Sequence, residues 1–103
     1  MPTNRERFAM STDPTFRMTI VDVFAISGLG TVAAGRVELG TIKVGDQVWL
    51  HGDEGAVKTG VAFIQAGTKG VKTAAVGDLV GVVLRGLRED RVRVGNVLSA
   101  AES

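Results

Sequence analysis

The stretch SGLGTVAAGRVELGTIKVGDQV, residues 27–48, raises the first structural question: what its glycines are for. It holds two lookalikes of a phosphate loop. Gly28-Leu29-Gly30 opens like a dinucleotide fingerprint, and Gly30 to Gly35 followed by Arg36-Val37 stands close to a P-loop. A dinucleotide fingerprint needs a helix behind it, because the helix N-terminus supplies the amides and partial positive charge that hold pyrophosphate. The residues after Gly30 are TVAAGRVEL, bracketed by turn signals at Gly40 and Gly45, and they read as strand. The fingerprint's third slot falls on Ala33, which some versions of the motif accept, so it is the missing helix that rules the fingerprint out. In the P-loop version arginine stands where the lysine belongs and valine where the magnesium-binding hydroxyl belongs, so both reactive groups are missing. The glycines instead suit a hairpin turn, Ser27-Gly28-Leu29-Gly30, joining a first strand to a second.

Upstream of that turn, Phe16, Met18, Ile20, Phe24 and Ile26 fall on one parity and Arg17, Thr19 and Ser27 on the other. A period of two marks a strand with one face in the core. Asp22 breaks the apolar parity; it must reach an edge, a backbone donor or solvent, because burying an unpaired carboxylate costs several kcal/mol. Downstream, one device recurs at Val44-Gly45-Asp46-Gln47-Val48, Val76-Gly77-Asp78-Leu79-Val80 and Val94-Gly95-Asn96-Val97-Leu98. Glycine takes the positive-φ position of a tight turn, the Asp or Asn side chain bonds nearby backbone, and the apolar residues start the next strand. Between these turns lie 56-AVKTGVAFI-64 and 79-LVGVVLRGL-87, rich in β-branched residues, with Gly60, Gly81 and Gly86 where a barrel needs bends or close backbone approach. No window shows a sustained helical period. The expected fold is all-β: six or seven short antiparallel strands closed into a small barrel.

Composition sets the limits around that barrel. A chain of 103 residues fits one domain, expected over residues 16–103 behind a flexible tail at 1–15. Cysteine is absent, which removes disulfides and thiolate metal sites. No apolar run approaches the roughly 18 to 20 residues of a membrane span, and the start MPTNRERFAMSTDPT lacks the apolar centre of a secretory signal, so a cytoplasmic protein with no membrane contact is expected. Twelve basic against eleven acidic residues leave a net charge of +1, too little for sequence-blind attraction to DNA; any RNA contact has to be local.

The run VDVFAISGLGTVAAGRVELGTIKVGDQVWL, followed later by VGDLVGVVLRGLREDRVRVGNVLSA, resembles domain 2 of elongation factor Tu and its relatives among the translational GTPases. The likeness covers about residues 16 to 101. Its specific blocks are Gly28-x-Gly30-Thr31-Val32, Gly35-Arg36-Val37-Glu38 and Val80-Gly81-x-x-Leu84-Arg85-Gly86. The resemblance implies a barrel normally placed behind a GTPase domain, where it helps hold the aminoacyl end of tRNA and touches the small ribosomal subunit. A GTPase domain needs more chain than this, so GTP is expected on a separate domain and no cofactor here.

The resemblance also implies where a binding surface falls: Asp22, Phe24, Ile26, Leu29, Val32, Arg36, Val83 and Arg85. Ile26, Val32 and Val83 match the apolar platform under the terminal adenosine. The polar partners of that platform are replaced. Val21 stands for an acidic residue, Ala34 for a threonine, Ala62 for a glutamate and Leu79 for an asparagine, while Leu29 takes the place of a basic residue between the hairpin glycines. A buried hydrogen-bonding group is worth about 1 to 3 kcal/mol, so losing four would remove most of the discrimination for an aminoacyl end.

The remaining candidates are few. Arg85, Arg88, Arg91 and Arg93 could form a basic strip, but Glu89 and Asp90 between them favour a solvated hairpin with internal ion pairs. His51, the single histidine, has no second histidine or cysteine with which to bind a metal. Trp49 is expected to cover one rim of the barrel, and exposed beside Leu29 and Phe63 it would make an apolar patch for a partner protein. The expected function is a non-enzymatic binding module contacting the ribosome, RNA or a GTPase partner; the alternative is a barrel repurposed for protein interaction or self-association.

Overall fold

The two-residue alternation of the first strand, β1 (Arg17–Ile26), holds only as far as Ile20. In the computed structural model, which describes residues 13–102, Phe16, Met18 and Ile20 are buried. Val21 then lacks an opposite residue on β2 (Gly30–Leu39): Ile20 lies across from Gly35 and Asp22 across from Ala34. One extra residue in an antiparallel pair is a β-bulge, and it sends every later side chain to the opposite face. Val23 now packs against the core, whereas Phe24 and Ile26 face outward. The expectation that Phe24 and Ile26 share the core face of Phe16 is thus corrected. Asp22 is no breach at all: it is exposed, and its carboxylate accepts the Val23 N–H at 2.9 Å.

Ser27 to Leu29 make the hairpin, with Leu29 N–H donating to the Ile26 carbonyl at 2.9 Å and Gly28 at φ 87°. The chain continues through β3 (Thr41–Lys43), β4 (Gln47–Gly52), β5 (Gly55–Ala66), β6 (Lys69–Val71), β7 (Thr73–Ala75), β8 (Leu79–Arg85), a 3-10 turn at Glu89–Arg91 and β9 (Val97–Ser99). The strands run β4-β9-β1-β2-β8-β5, and β4 pairs again with β5, so six antiparallel strands close into a barrel. β6 extends β5 outward, and β3 with β7 forms a separate ribbon. Closure leaves no free sheet edge within the ring where neighbours overlap. The interior is filled from every strand of the ring, with Met18, Ile20, Ala33, Val48, Val61, Val82 and Leu98 all inaccessible to solvent.

The recurring Val-Gly-Asp/Asn device is three copies of one turn. Gly45, Gly77 and Gly95 have φ of 97°, 94° and 97°, a region that only glycine enters without strain. In each copy the Asp or Asn side chain accepts the N–H three residues back: Asp46 from Lys43, Asp78 from Ala75 and Asn96 from Arg93, at 2.9, 2.9 and 3.1 Å. Each turn also grips a neighbouring strand through two backbone bonds, with the glycine N–H donating to one residue whose own N–H returns to the Asp or Asn carbonyl. Those residues are Val61 on β5, Val37 on β2 and Ile20 on β1, at 2.8 to 3.0 Å. All three are buried.

Residues 1–12 of the expected tail lie outside the described residues. Its last three, Asp13 to Thr15, form a turn in which the backbone N–H and the hydroxyl of Thr15 donate to the Asp13 carboxylate at 2.9 and 2.7 Å. These bonds favour the charged form and hold the Asp13 carboxyl below its ordinary value.

Candidate functional site

Four strands, β1, β2, β8 and β5, present a continuous outer face, and register sets what meets on it. Phe24 lies opposite Val32, Val32 opposite Val83, and Val83 opposite Phe63, an apolar row straight across the strands. One step along, Asp22, Ala34, Gly81 and Gln65 form a second row. Its two central members are small, so the face dips there into an open groove of about 430 Å³. Gly81 belongs at the bottom for a steric reason: a Cβ on it would stand 2.9 Å from Val32 Cγ1. Val32 and Val83, each 1% exposed, lie beneath the rim, and Phe24, 38% exposed, stands on it.

Two bulges shape this face. Val21 is the extra residue of β1, and Ala62 is that of β5, where Val61 pairs with Leu84 and Phe63 with Val83. Bulges re-aim side chains beside binding surfaces. Val21 ends on the groove rim at 59% exposure, and Leu79, at 57%, lines the groove from the β8 side. Three of the four positions where the resemblance implies a polar residue, Val21, Ala34 and Leu79, therefore line one groove; Ala62 does not.

Of the expected binding residues, Asp22, Phe24 and Ile26 line the groove, with Val32 and Val83 packed alongside. Arg36 lies across from Leu79, and its guanidinium donates to the Gly77 carbonyl at 2.6 Å, tying it to the turn. Leu29 is exposed at the hairpin tip, outside the groove. Arg85 lies opposite Gly60 and faces a different cleft, lined also by Lys58. The basic strip dissolves accordingly: Arg88 pairs with Asp90 at 3.4 Å, and Arg91 and Arg93 share a cavity with Asp53, Glu54 and Asp90. The expected patch of Leu29, Trp49 and Phe63 does not assemble either. Trp49 faces Lys58, while Phe63 lies over Gly70 and borders a groove with Val44 and Lys72.

His51 serves the fold. Its Nε2 lies 2.8 Å from Ser99 Oγ and 2.9 Å from the Ala101 carbonyl, so it pins the chain beyond β9 against β4. Among the described residues no group of three His, Cys, Asp or Glu side chains could hold a metal ion. No helix among them is long and apolar enough to cross a membrane.

The resemblance groups Val21, Ala34 and Leu79 around one platform, but periodicity and spacing show neither that convergence nor the meeting of Lys58 with Arg85. No local signal marks either, because each set is assembled by register between strands distant in sequence.

The six-stranded closure, the double-glycine hairpin and the groove over Ala34 and Gly81 now stand beside one comparison. The family model described as elongation factor Tu domain 2 matches residues 30–99, from the first residue of β2 to the last of β9. With the matched segment covering most of the chain and every strand of the barrel but β1, this protein belongs to the elongation factor Tu domain 2 family.

Proposed function

We infer that the chain is a non-enzymatic binding module of the translation apparatus, a single barrel over residues 16–103 working in the cytoplasm. Its contacts are with the ribosome, its RNA or a GTPase partner. The observation that carries this reading is the outer-face groove: family membership comes together with a preformed depression over Ala34 and Gly81, bordered by Asp22, Phe24 and Ile26. Concave, mostly apolar sites of this kind are where folded domains hold their partners. With Val21, Ala34 and Leu79 apolar, Asp22 and Gln65 are the polar side chains among the groove's lining residues, a sparse set that argues against discrimination of an aminoacyl end and for docking without such readout.

Co-sedimentation with small ribosomal subunits at low salt tests the reading. The protein is expected in the pellet, and a protein that stays in the supernatant at every subunit concentration overturns it.

A second reading has its own support. Val21 and Leu79, both more than half exposed, make the groove rim apolar in the way of a protein-interaction surface, which favours a barrel repurposed for self-association or for another protein. Light scattering across a concentration series distinguishes it. A mass that rises toward a dimer supports it, and a strict monomer together with ribosome binding removes it.

A further inference from the structure

On the far side of the barrel from β1, the outer face of β4, β5 and β8 carries a second depression. Lys58 lies opposite Trp49 and two residues before Gly60, which lies opposite Arg85, so Trp49, Lys58 and Arg85 share one face. The Arg85 side chain runs across Gly60, with Nε 3.5 Å from where a Cβ would stand. Lys58 and Arg85 line one cleft of about 390 Å³, together with Gly45, Gln47, Thr59, Gly60 and Val61. No carboxylate of the described residues lines it. Asp46, between Gly45 and Gln47 of the cleft wall, is buried and engaged by the Lys43 ammonium at 3.8 Å. The ion pairs among the described residues use Arg17, Lys43 and Arg88 and leave Lys58 and Arg85 without an acidic partner. Arg17 shares the row of Trp49 through Ser99, but Glu38 holds it at 3.2 Å.

We propose that this face binds the backbone of single-stranded RNA, with Lys58 and Arg85 on phosphate oxygens and Trp49 as the platform for a base. Two cations with no carboxylate of the described residues on their cleft wall attract an anion, and the guanidinium fork of Arg85 suits phosphate oxygens. The half-buried indole distinguishes a polynucleotide from inorganic phosphate, because bases stack on aromatic faces whatever their sequence. The Lys58 ammonium lies 6.0 Å from the ring centroid, at the outer limit of a cation–π contact, so a phosphate draws it away at little cost. The near-zero net charge fits a contact this local. The choice of RNA rests on the translational reading above; the cleft chemistry does not.

Trp49 is the single tryptophan and tyrosine is absent, so intrinsic fluorescence reports on this face directly. Titration with octauridylate at low salt is expected to quench Trp49 emission saturably, with a matching rise in the anisotropy of labelled RNA. Two phosphate contacts on a single strand give a log–log salt slope of about −1.4, so affinity is expected to fall about sevenfold between 50 and 200 mM salt. Arg85→Ala should roughly halve that slope, Arg85→Lys should keep it, and the Lys58→Ala, Arg85→Ala double variant should lose it. Urea unfolding of each variant checks that the barrel is intact. Inorganic phosphate and pyrophosphate are expected to compete weakly without quenching, and duplex RNA to bind more weakly than the single strand. No saturable change with octauridylate, or unchanged affinity and slope in the double variant, overturns the proposal, as does quenching by pyrophosphate alone. If octauridylate fails while the wild-type chain still pellets with small subunits, this cleft falls and the module reading stands. If RNA binds through Lys58 and Arg85 but no subunit binding is seen, the reverse holds.

Discussion

Asp46, Asp78 and Asn96 occupy one position in three copies of one turn, yet their surroundings differ. Asp46 is buried and carries both the Lys43 N–H and the Lys43 ammonium, whereas Asp78 is exposed and carries only the Ala75 N–H. Removing an acceptor from a buried donor costs the desolvation of that donor, about 1 to 3 kcal/mol; at an exposed site water replaces the bond and the loss is about 0.5 to 1.5 kcal/mol. Asp46→Ala is therefore expected to lower the urea midpoint more than Asp78→Ala. Asp46→Asn should recover most of the loss, because an amide oxygen still accepts the Lys43 N–H. Equal shifts in the two alanine variants would show that burial plays no part in these turns.

At the scale of the strand, the bulge at Val21 is the decisive irregularity. It sets Ile20 in the core and Phe24 on the groove rim, although the two lie four residues apart on one parity. An unbroken alternation would make both core residues, and truncating either would cost about 2 to 5 kcal/mol. With the bulge, Ile20→Ala is expected to cost that much and Phe24→Ala only about 1 kcal/mol, as measured by chemical denaturation. Near-equal costs would mean that the register is continuous through Val21. The same bulge explains Asp22, which an alternating strand would have turned inward. On the outer face it needs no buried partner and bonds the backbone beside it.

The barrel as a whole depends on a strand of three residues. β9 joins β1 to β4, through Met18 opposite Leu98 and Leu50 opposite Leu98, and Leu98 is fully buried between them. A chain ending at Asn96 loses that link and opens the ring, exposing β1 and β4 edges and the interior together. Such a chain is expected to lose its cooperative thermal transition, followed by circular dichroism, and to aggregate. A sharp transition retained in the shortened chain would show that the other five strands suffice. Closure also explains why the two depressions described above lie on the outer face: the centre is filled, and the face dips where outward residues are small, as at Ala34 and Gly81, or where glycine lets a long side chain lie flat, as at Gly60.

The amino-acid sequence by itself determined the class of the fold, the hairpin at Ser27 to Leu29 and the three repeated turns. Each of these rests on local chemistry: the two-residue period, the positive φ of glycine, and an Asp or Asn side chain bonding backbone three residues away. The tertiary structure alone decided the bulge at Val21 that turns Phe24 and Ile26 outward, the dip over Ala34 and Gly81 that Val21 and Leu79 border, and that Arg85 stands with Lys58 rather than with Arg88, Arg91 and Arg93. Those outcomes depend on which residues pair across strands. Pairing is set by bulges and by the stagger of a closed ring, and neither leaves a periodic mark in the residues that create it.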